Sequence, residues 1–155
     1  MREQFDKIGD FNKAMMISEN KTFGALPSPA ESELSGNMIA EELREYIQAM
    51  KDYNGIEVAD GLIDIYYLVV GAMRRHGLSA PKAEELFNEV HASNMSKECL
   101  SEADAIKTVE NYKKLGTCCV YVQNSRGNYV IKRADGKVLK PEGYFKPNLI
   151  PILNK

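Results

Sequence analysis

Apolar residues recur at helical spacing through the first two-thirds of the chain and change to a strand-like pattern only afterwards. Phe5, Ile8, Phe11 and Met15 lie three and four residues apart, an amphipathic stripe that predicts a first helix. Leu26-Pro27-Ser28-Pro29 is expected to stop it, because each proline removes a backbone donor and restricts the residue before it. A second helix is predicted from about Ser32 to Tyr53, with Met38, Ile39, Leu43, Tyr46, Ile47 and Met50 facing inward, ended by Asn54-Gly55. A third runs from Ile56 to about His76 with Gly77 closing it. Its run through Ile63, Ile65, Leu68, Val69 and Val70 marks it as the buried central helix. A fourth is expected from Ala80 to Met95, with Pro81 in its first turn. A fifth follows from Ser101 and Asp104, a capping pair, to Lys114, with Gly116 after it.

The period then changes. Cys118 to Val122 and Tyr129 to Ile131 are β-branched and aromatic runs separated by Asn124-Ser125-Arg126-Gly127-Asn128, a hairpin pattern over about 117–133. Asp135-Gly136 is a further turn, and Pro141, Pro147 and Pro151 mark an irregular C-terminal arm. The expected fold class is all-α: a four-to-five-helix bundle with a small β-hairpin and that arm, forming one domain over residues 1–155.

Composition narrows the function classes. A content of 44% apolar and 27% charged residues excludes wholesale disorder. Twenty basic against twenty-two acidic residues give a net charge of -2, which argues against binding a nucleic-acid polymer through bulk charge. The longest apolar stretch, Leu62 to Met73, is interrupted by Asp64 and is too short to span a bilayer, and MREQFDKIGD has no signal-peptide core. Three cysteines do not make a disulfide framework, which fits a reducing, cytoplasmic setting; Cys118 and Cys119 read as strand residues. The methionines Met15, Met16, Met38, Met50 and Met73 read as core filler, and His76 as a partner of its helix C-terminus.

The informative feature is the acids. Glu41, Glu42 and Glu45 occupy one turn of the second predicted helix, and Glu57, Asp60 and Asp64 follow on the third at i, i+3 and i+7. Those offsets place carboxylates on one helix face, where like charges repel. Asp60 and Asp64 lie in the most apolar helix of the chain, where acids are rare unless compensated. No comparable cluster of Lys or Arg accompanies them, so a divalent cation with a preference for hard oxygen ligands is the economical compensator. The alternative for Glu41, Glu42 and Glu45 is a solvated face near a helix start.

Glu41-Glu42-Leu43-Arg44-Glu45 followed by Glu57-Val58-Ala59-Asp60 resembles the signature of the all-α nucleoside triphosphate pyrophosphohydrolases, which include MazG-like enzymes, dimeric dUTP pyrophosphatases and phosphoribosyl-ATP pyrophosphohydrolase. The run from Glu57 to Gly71 is similar to the third helix of a bacterial and phage subgroup. Glu89 to Lys97 resembles its Asn-Met-x-Lys segment, and Asp135 to Lys140 with Tyr144 and Pro147 resembles its tail. The likeness covers about residues 36–98 and 134–153, with eleven residues between Glu45 and Glu57, a short gap for the family.

The resemblance implies hydrolysis of (deoxy)nucleoside triphosphates between the α and β phosphates, with Mg²⁺, or Mn²⁺ in its place, as cofactor. It implies Glu42, Glu45, Glu57 and Asp60 as metal ligands, and Glu41 as a further ligand or the base that activates water. Asp64, one turn beyond Asp60, is implied to hold a water beside the ion or a further ion, and it also reads as an acid hydrogen-bonded to a neighbouring helix. Asn94, Lys97, Lys137, Lys140 and Tyr144 are implied to contact the substrate; singly, each lysine also reads as a solvated surface charge. A homodimer or homotetramer and a nucleotide-cleansing role are expected, with no membrane partner. Phosphoribosyl-ATP hydrolysis and a non-catalytic metal-binding helical module are the alternatives.

Overall fold

A computed structural model describes residues 1–24 and 27–154. Leu26, the first residue of the expected proline stop, lies outside them. The chain divides into two compact units, Met1–Glu85 and Leu86–Lys155, with the boundary inside one helix.

In the first unit, α1 (Arg2–Ala14), α2 (Pro29–Lys51) and α3 (Gly55–Arg75) precede the start of α4 (Ala80–Met95). The prolines open α2 and do not stop its predecessor, which already ends at Ala14. Pro29 takes the first helical position, Ser28 Oγ accepts from Glu31 N at 3.3 Å, and Glu31 Oε2 accepts from Ser28 N at 2.9 Å. The Ser28 hydroxyl and backbone, with the Ser18 hydroxyl, hold the Glu31 carboxyl down to about 2. The turn between α2 and α3 also corrects the expectation. The left-handed residue is Tyr53 (φ 54°), while the Asn54 side chain caps α3 by accepting from Ile56 N and Glu57 N. At the far end, Gly77 adopts φ +76° and donates to Arg74 O, while Leu78 N donates to Met73 O, the hydrogen-bond pattern of a Schellman stop.

The core of this unit gathers Phe5, Ile8, Val70 and Ala83, with Met1, Met73 and Ala80 against it. Beside it, Arg74 donates to Glu19 Oε1 at 2.7 Å, Glu19 Oε2 at 2.8 Å and Phe5 O at 2.8 Å, and Asn12 Nδ2 donates to Glu19 Oε1. Elsewhere α3 is not the buried central helix that its composition suggests. Leu62 is 48% and Ile63 63% exposed, and Met38, Leu43, Ile47 and Met50 of the expected inner face of α2 are exposed as well. Of the methionines taken as core filler, Met15, Met16, Met38 and Met50 are exposed, and Met73 packs against the core.

In the second unit the hairpin gains a third strand. β1 (Glu98–Cys99), β2 (Cys119–Gln123) and β3 (Tyr129–Arg133) form an antiparallel sheet in the order β1-β3-β2, with α5 (Glu102–Lys114) against it and a short α6 (Ile150–Leu153) in the arm. Cys119 lies in β2, and exposed Cys118 immediately precedes it. Ser101 caps α5 as expected, accepting from Asp104 N. Cys99, Ala105, Ile131 and Leu139 make the core. Glu98 ties β1 to the hairpin tip through Asn124, Arg126 and Asn128. The arm is fastened where Ser93 Oγ donates to Phe145 O at 2.8 Å and Asn148 N donates to Glu89 Oε1 at 2.7 Å. No described helix is long and apolar enough to cross a membrane.

Candidate functional site

The acids of the first unit are brought together by the packing of α2 on α3, the most extensive contact between elements of that unit. The two helices approach closely at Gly61 and Tyr46. A Cβ at Gly61 would stand 3.2 Å from Tyr46 Cβ, 3.3 Å from its Cα and 3.4 Å from its N. Gly61 directly follows Asp60, and Tyr46 directly follows Glu45, so the narrow crossing lies within the acidic stretch.

The electrostatics record the result. Glu42 is half-buried, and its carboxyl is pushed above the ordinary value, first by desolvation and then by Glu45, Asp64, Glu41 and Asp60. Two of those neighbours belong to α2 and two to α3, so the field spans both helices. Glu45 and Glu57 line one cleft of about 230 Å³ with Gln48, Ala49, Asp52 and Asn54. Among the described residues none of these six acids forms an ion pair. Arg44, within the same turn, donates from Nε to Ala40 O at 3.1 Å.

A set of uncompensated carboxylates is the donor chemistry of a hard divalent cation, and the repulsion at Glu42 is what such an ion relieves. By that test the residues fit Mg²⁺ or Mn²⁺. Among the described residues no three His, Cys, Asp or Glu side chains already converge as ligands. The acids other than Glu42 are exposed, with room to turn.

The same helix faces continue into an apolar cavity. Met38 lies four residues before Glu42 and Tyr67 three after Asp64, so both fall one turn further along. Together with Phe11, Leu34, Leu68 and Gly71 they line a space of about 170 Å³, where the Phe11 and Tyr67 rings meet edge to face at 5.7 Å. Asn12, Ser35 and Arg75 supply its polar groups. Neither this cavity nor the Gly61 crossing was read from the sequence. An isolated glycine inside an apolar helix is the signal that points to the crossing; the cavity has no comparable mark.

The remaining expected site residues belong to the second unit. Lys97 Nζ donates to Asn94 Oδ1 at 2.6 Å. Lys140 Nζ stands 4.4 Å above the Tyr144 ring, and the Tyr144 hydroxyl lies 3.4 Å from Ser93 Oγ. The Ser93 contact, followed by the Lys140 and Lys97 charges, draws the Tyr144 phenol below its ordinary value. Lys137 sits on the turn after β3, its backbone N donating to Asp135 Oδ1 at 3.2 Å.

α2 and α3 thus pack together while carrying Glu-Glu-x-x-Glu and Glu-x-x-Asp, the pattern on which the sequence resemblance rests. A model of the phosphoribosyl-ATP pyrophosphohydrolase family matches residues 10–94, which contain all six acids. The chain belongs to that family, part of the MazG-like nucleoside triphosphate pyrophosphohydrolase superfamily. An uncharacterized protein of Acanthamoeba polyphaga mimivirus is 44% identical to it over a 78-residue alignment that covers 45% of this chain and 30% of the viral protein. The aligned part thus covers under a third of that relative.

Proposed function

We propose that this protein hydrolyses (deoxy)nucleoside triphosphates between the α and β phosphates, releasing a monophosphate and pyrophosphate. The observation that carries the reading is the set of six acids on the packed helices α2 and α3, without an ion pair among the described residues, with Glu45 and Glu57 lining one cleft. Glu42, Glu45, Glu57 and Asp60 hold Mg²⁺, for which Mn²⁺ substitutes. When bound, the ion neutralises the polyphosphate and fixes the geometry of an in-line displacement. Glu41 acts as water-activating base or further ligand, and Asp64 orients a water from one turn along α3. The apolar cavity takes the nucleobase. Its volume of about 170 Å³ lies below the ~300 Å³ typical of whole-ligand sites, which suits one planar ring system rather than a nucleotide.

Asn94, Lys97, Lys137, Lys140 and Tyr144 are assigned to the substrate by family resemblance, as a separate proposal tested by their own variants. The exposed apolar residues of α2 and α3 favour a homodimer, or a homotetramer built from it, because monomers seldom leave so much apolar helix surface uncovered. A nucleotide-cleansing role in the cytoplasm is the setting that matches this chemistry.

The test is pyrophosphate release from a panel of NTPs, dNTPs and phosphoribosyl-ATP with Mg²⁺, using the wild type, Glu45→Ala and Asp60→Ala. The expected result is release by the wild type from at least one triphosphate and loss of turnover in both variants, with helical circular dichroism retained. Cleavage of phosphoribosyl-ATP alone would assign the family's named substrate instead. Metal binding with no release from any substrate would mark a binding module. Near-normal rates in both variants would remove these acids from the mechanism.

A further inference from the structure

α2 and α3 approach closely at Gly61, a position without a side chain. Building a Cβ on Gly61 would bring it within 3.2–3.4 Å of Tyr46 Cβ, Cα and N, which are backbone and near-backbone atoms of the opposite helix. A flexible side chain would swing aside, but these atoms move only with the helix axis. Gly71, nearly three turns further along α3, is different: its Cβ would meet only Ile8 Cγ2, at an ordinary 3.9 Å. A glycine inside a helix costs stability relative to alanine, so Gly61 is retained at a cost that its position must offset. Asp60 precedes it, Glu57 lies one turn before it and Asp64 about one turn after it, while Glu42 and Glu45 lie one turn and one residue before its contact, Tyr46, on α2.

We infer that Gly61 is a positioning residue: its missing side chain sets the separation of α2 and α3 at which carboxylates from both helices serve one small divalent cation. The inference rests on the metal reading above. Mg²⁺ demands oxygen ligands at about 2.0–2.1 Å in near-ideal octahedral geometry, whereas Ca²⁺ accepts about 2.3–2.6 Å and irregular arrangements. A few tenths of an ångström added between the helices therefore affects the two ions unequally. A residue that merely stabilised the fold would change affinity for both alike.

The experiment measures Mn²⁺ binding by electron paramagnetic resonance, with Mg²⁺ and Ca²⁺ as competitors, for the wild type, Gly61→Ala, Gly71→Ala and Tyr46→Gly. Circular dichroism follows folding in each. The expected result for Gly61→Ala is a loss of Mg²⁺ affinity of about tenfold or more, the scale on which disturbed ligand positioning acts. Ca²⁺ affinity falls by less, so preference shifts toward the larger ion. Gly71→Ala matches the wild type. Tyr46→Gly, which removes the nearest contacting atom from the opposite side, leaves the preference unchanged or moves it toward Mg²⁺, and so tests the spacing even if Gly61→Ala does not fold. Equal affinities in the wild type and Gly61→Ala, proportional losses for both ions, or a Ca²⁺ shift in Tyr46→Gly would overturn the inference while leaving the metal reading intact. A wild type that binds no Mn²⁺ would overturn the metal reading itself, and with it the inference.

Discussion

In the second unit, a thirteen-residue helix and three short strands bring Ala105 and Ile131 to complete burial, whereas in the first unit Ala49 is the one buried residue of the 23-residue α2 among those described, and it keeps 6% exposure. The contrast is one of closure rather than apolar content. α5 covers one sheet face, and the period-two pattern of β3 delivers Ile131 to it. In the first unit α2 and α3 make a two-helix layer, and the fully buried core gathers around Phe5, Ile8, Val70 and Ala83. The acids lie on the stretch of that layer away from this core. The first unit leaves an acidic and apolar face open along α2 and α3.

The sharpest way to test that contrast is to truncate an isoleucine in each unit. Ile131→Ala should cost about 2–5 kcal/mol in urea unfolding, because the side chain is fully enclosed and leaves a cavity. Ile63→Ala, at an exposed position, should fall within about 0.5 kcal/mol of the wild type at high dilution. If the proposed homodimer covers this face, the cost of Ile63→Ala grows with protein concentration. Equal costs at every dilution would mean that the two units do not differ in closure.

A smaller effect is expected at the tie that fastens the closed end of the first unit. Arg74→Ala strands the half-buried Glu19 carboxylate and should cost about 3 kcal/mol. The interaction also predicts a pH response. The Arg74 hydrogen bond, with help from Asn12, holds the Glu19 carboxyl below its ordinary value near 4.5. A depressed folded-state value contributes stability above that pH and loses it as the pH falls through the lower folded value. Melting temperatures from pH 7 to pH 3 should therefore fall less steeply in Arg74→Ala than in the wild type. Parallel curves would show that the pair contributes nothing to acid sensitivity.

How much of this was legible in the sequence differs between fold and site. The course of α4 and α5 followed from Pro81, Ser101 and Asp104, because caps act locally and need no tertiary partner. The third strand was not legible, since Glu98–Cys99 is two residues long and pairs only because β3 arrives beside it. Tyr53 was missed for a related reason: asparagine and glycine tolerate left-handed geometry best, but Asn54 is already used as a helix cap. The acids were legible because their spacing along each helix fixes their faces. The approach of the two helices at Gly61 was not, because it depends on the distance between their axes, and no periodicity reports that distance.

The smallest effect probes the open face directly. Glu42 carries the strain of that face: desolvation and the charges of Glu45, Asp64, Glu41 and Asp60 all disfavour its ionised form. A carboxyl whose folded-state value is raised contributes stability below its ordinary value and loses it as the pH rises through the folded value. Without divalent metal at neutral pH, Glu42→Gln should therefore melt slightly above the wild type, and the difference should shrink as the pH approaches 4.5. Added Mg²⁺ should reverse the order, because a ligand that binds only the folded state stabilises the protein in proportion to its affinity, and the variant has lost a donor. The two melts, with chelator and with Mg²⁺, separate a repelled surface acid from a metal ligand. Repulsion alone gives the first difference without the reversal, and a solvated helix face gives neither.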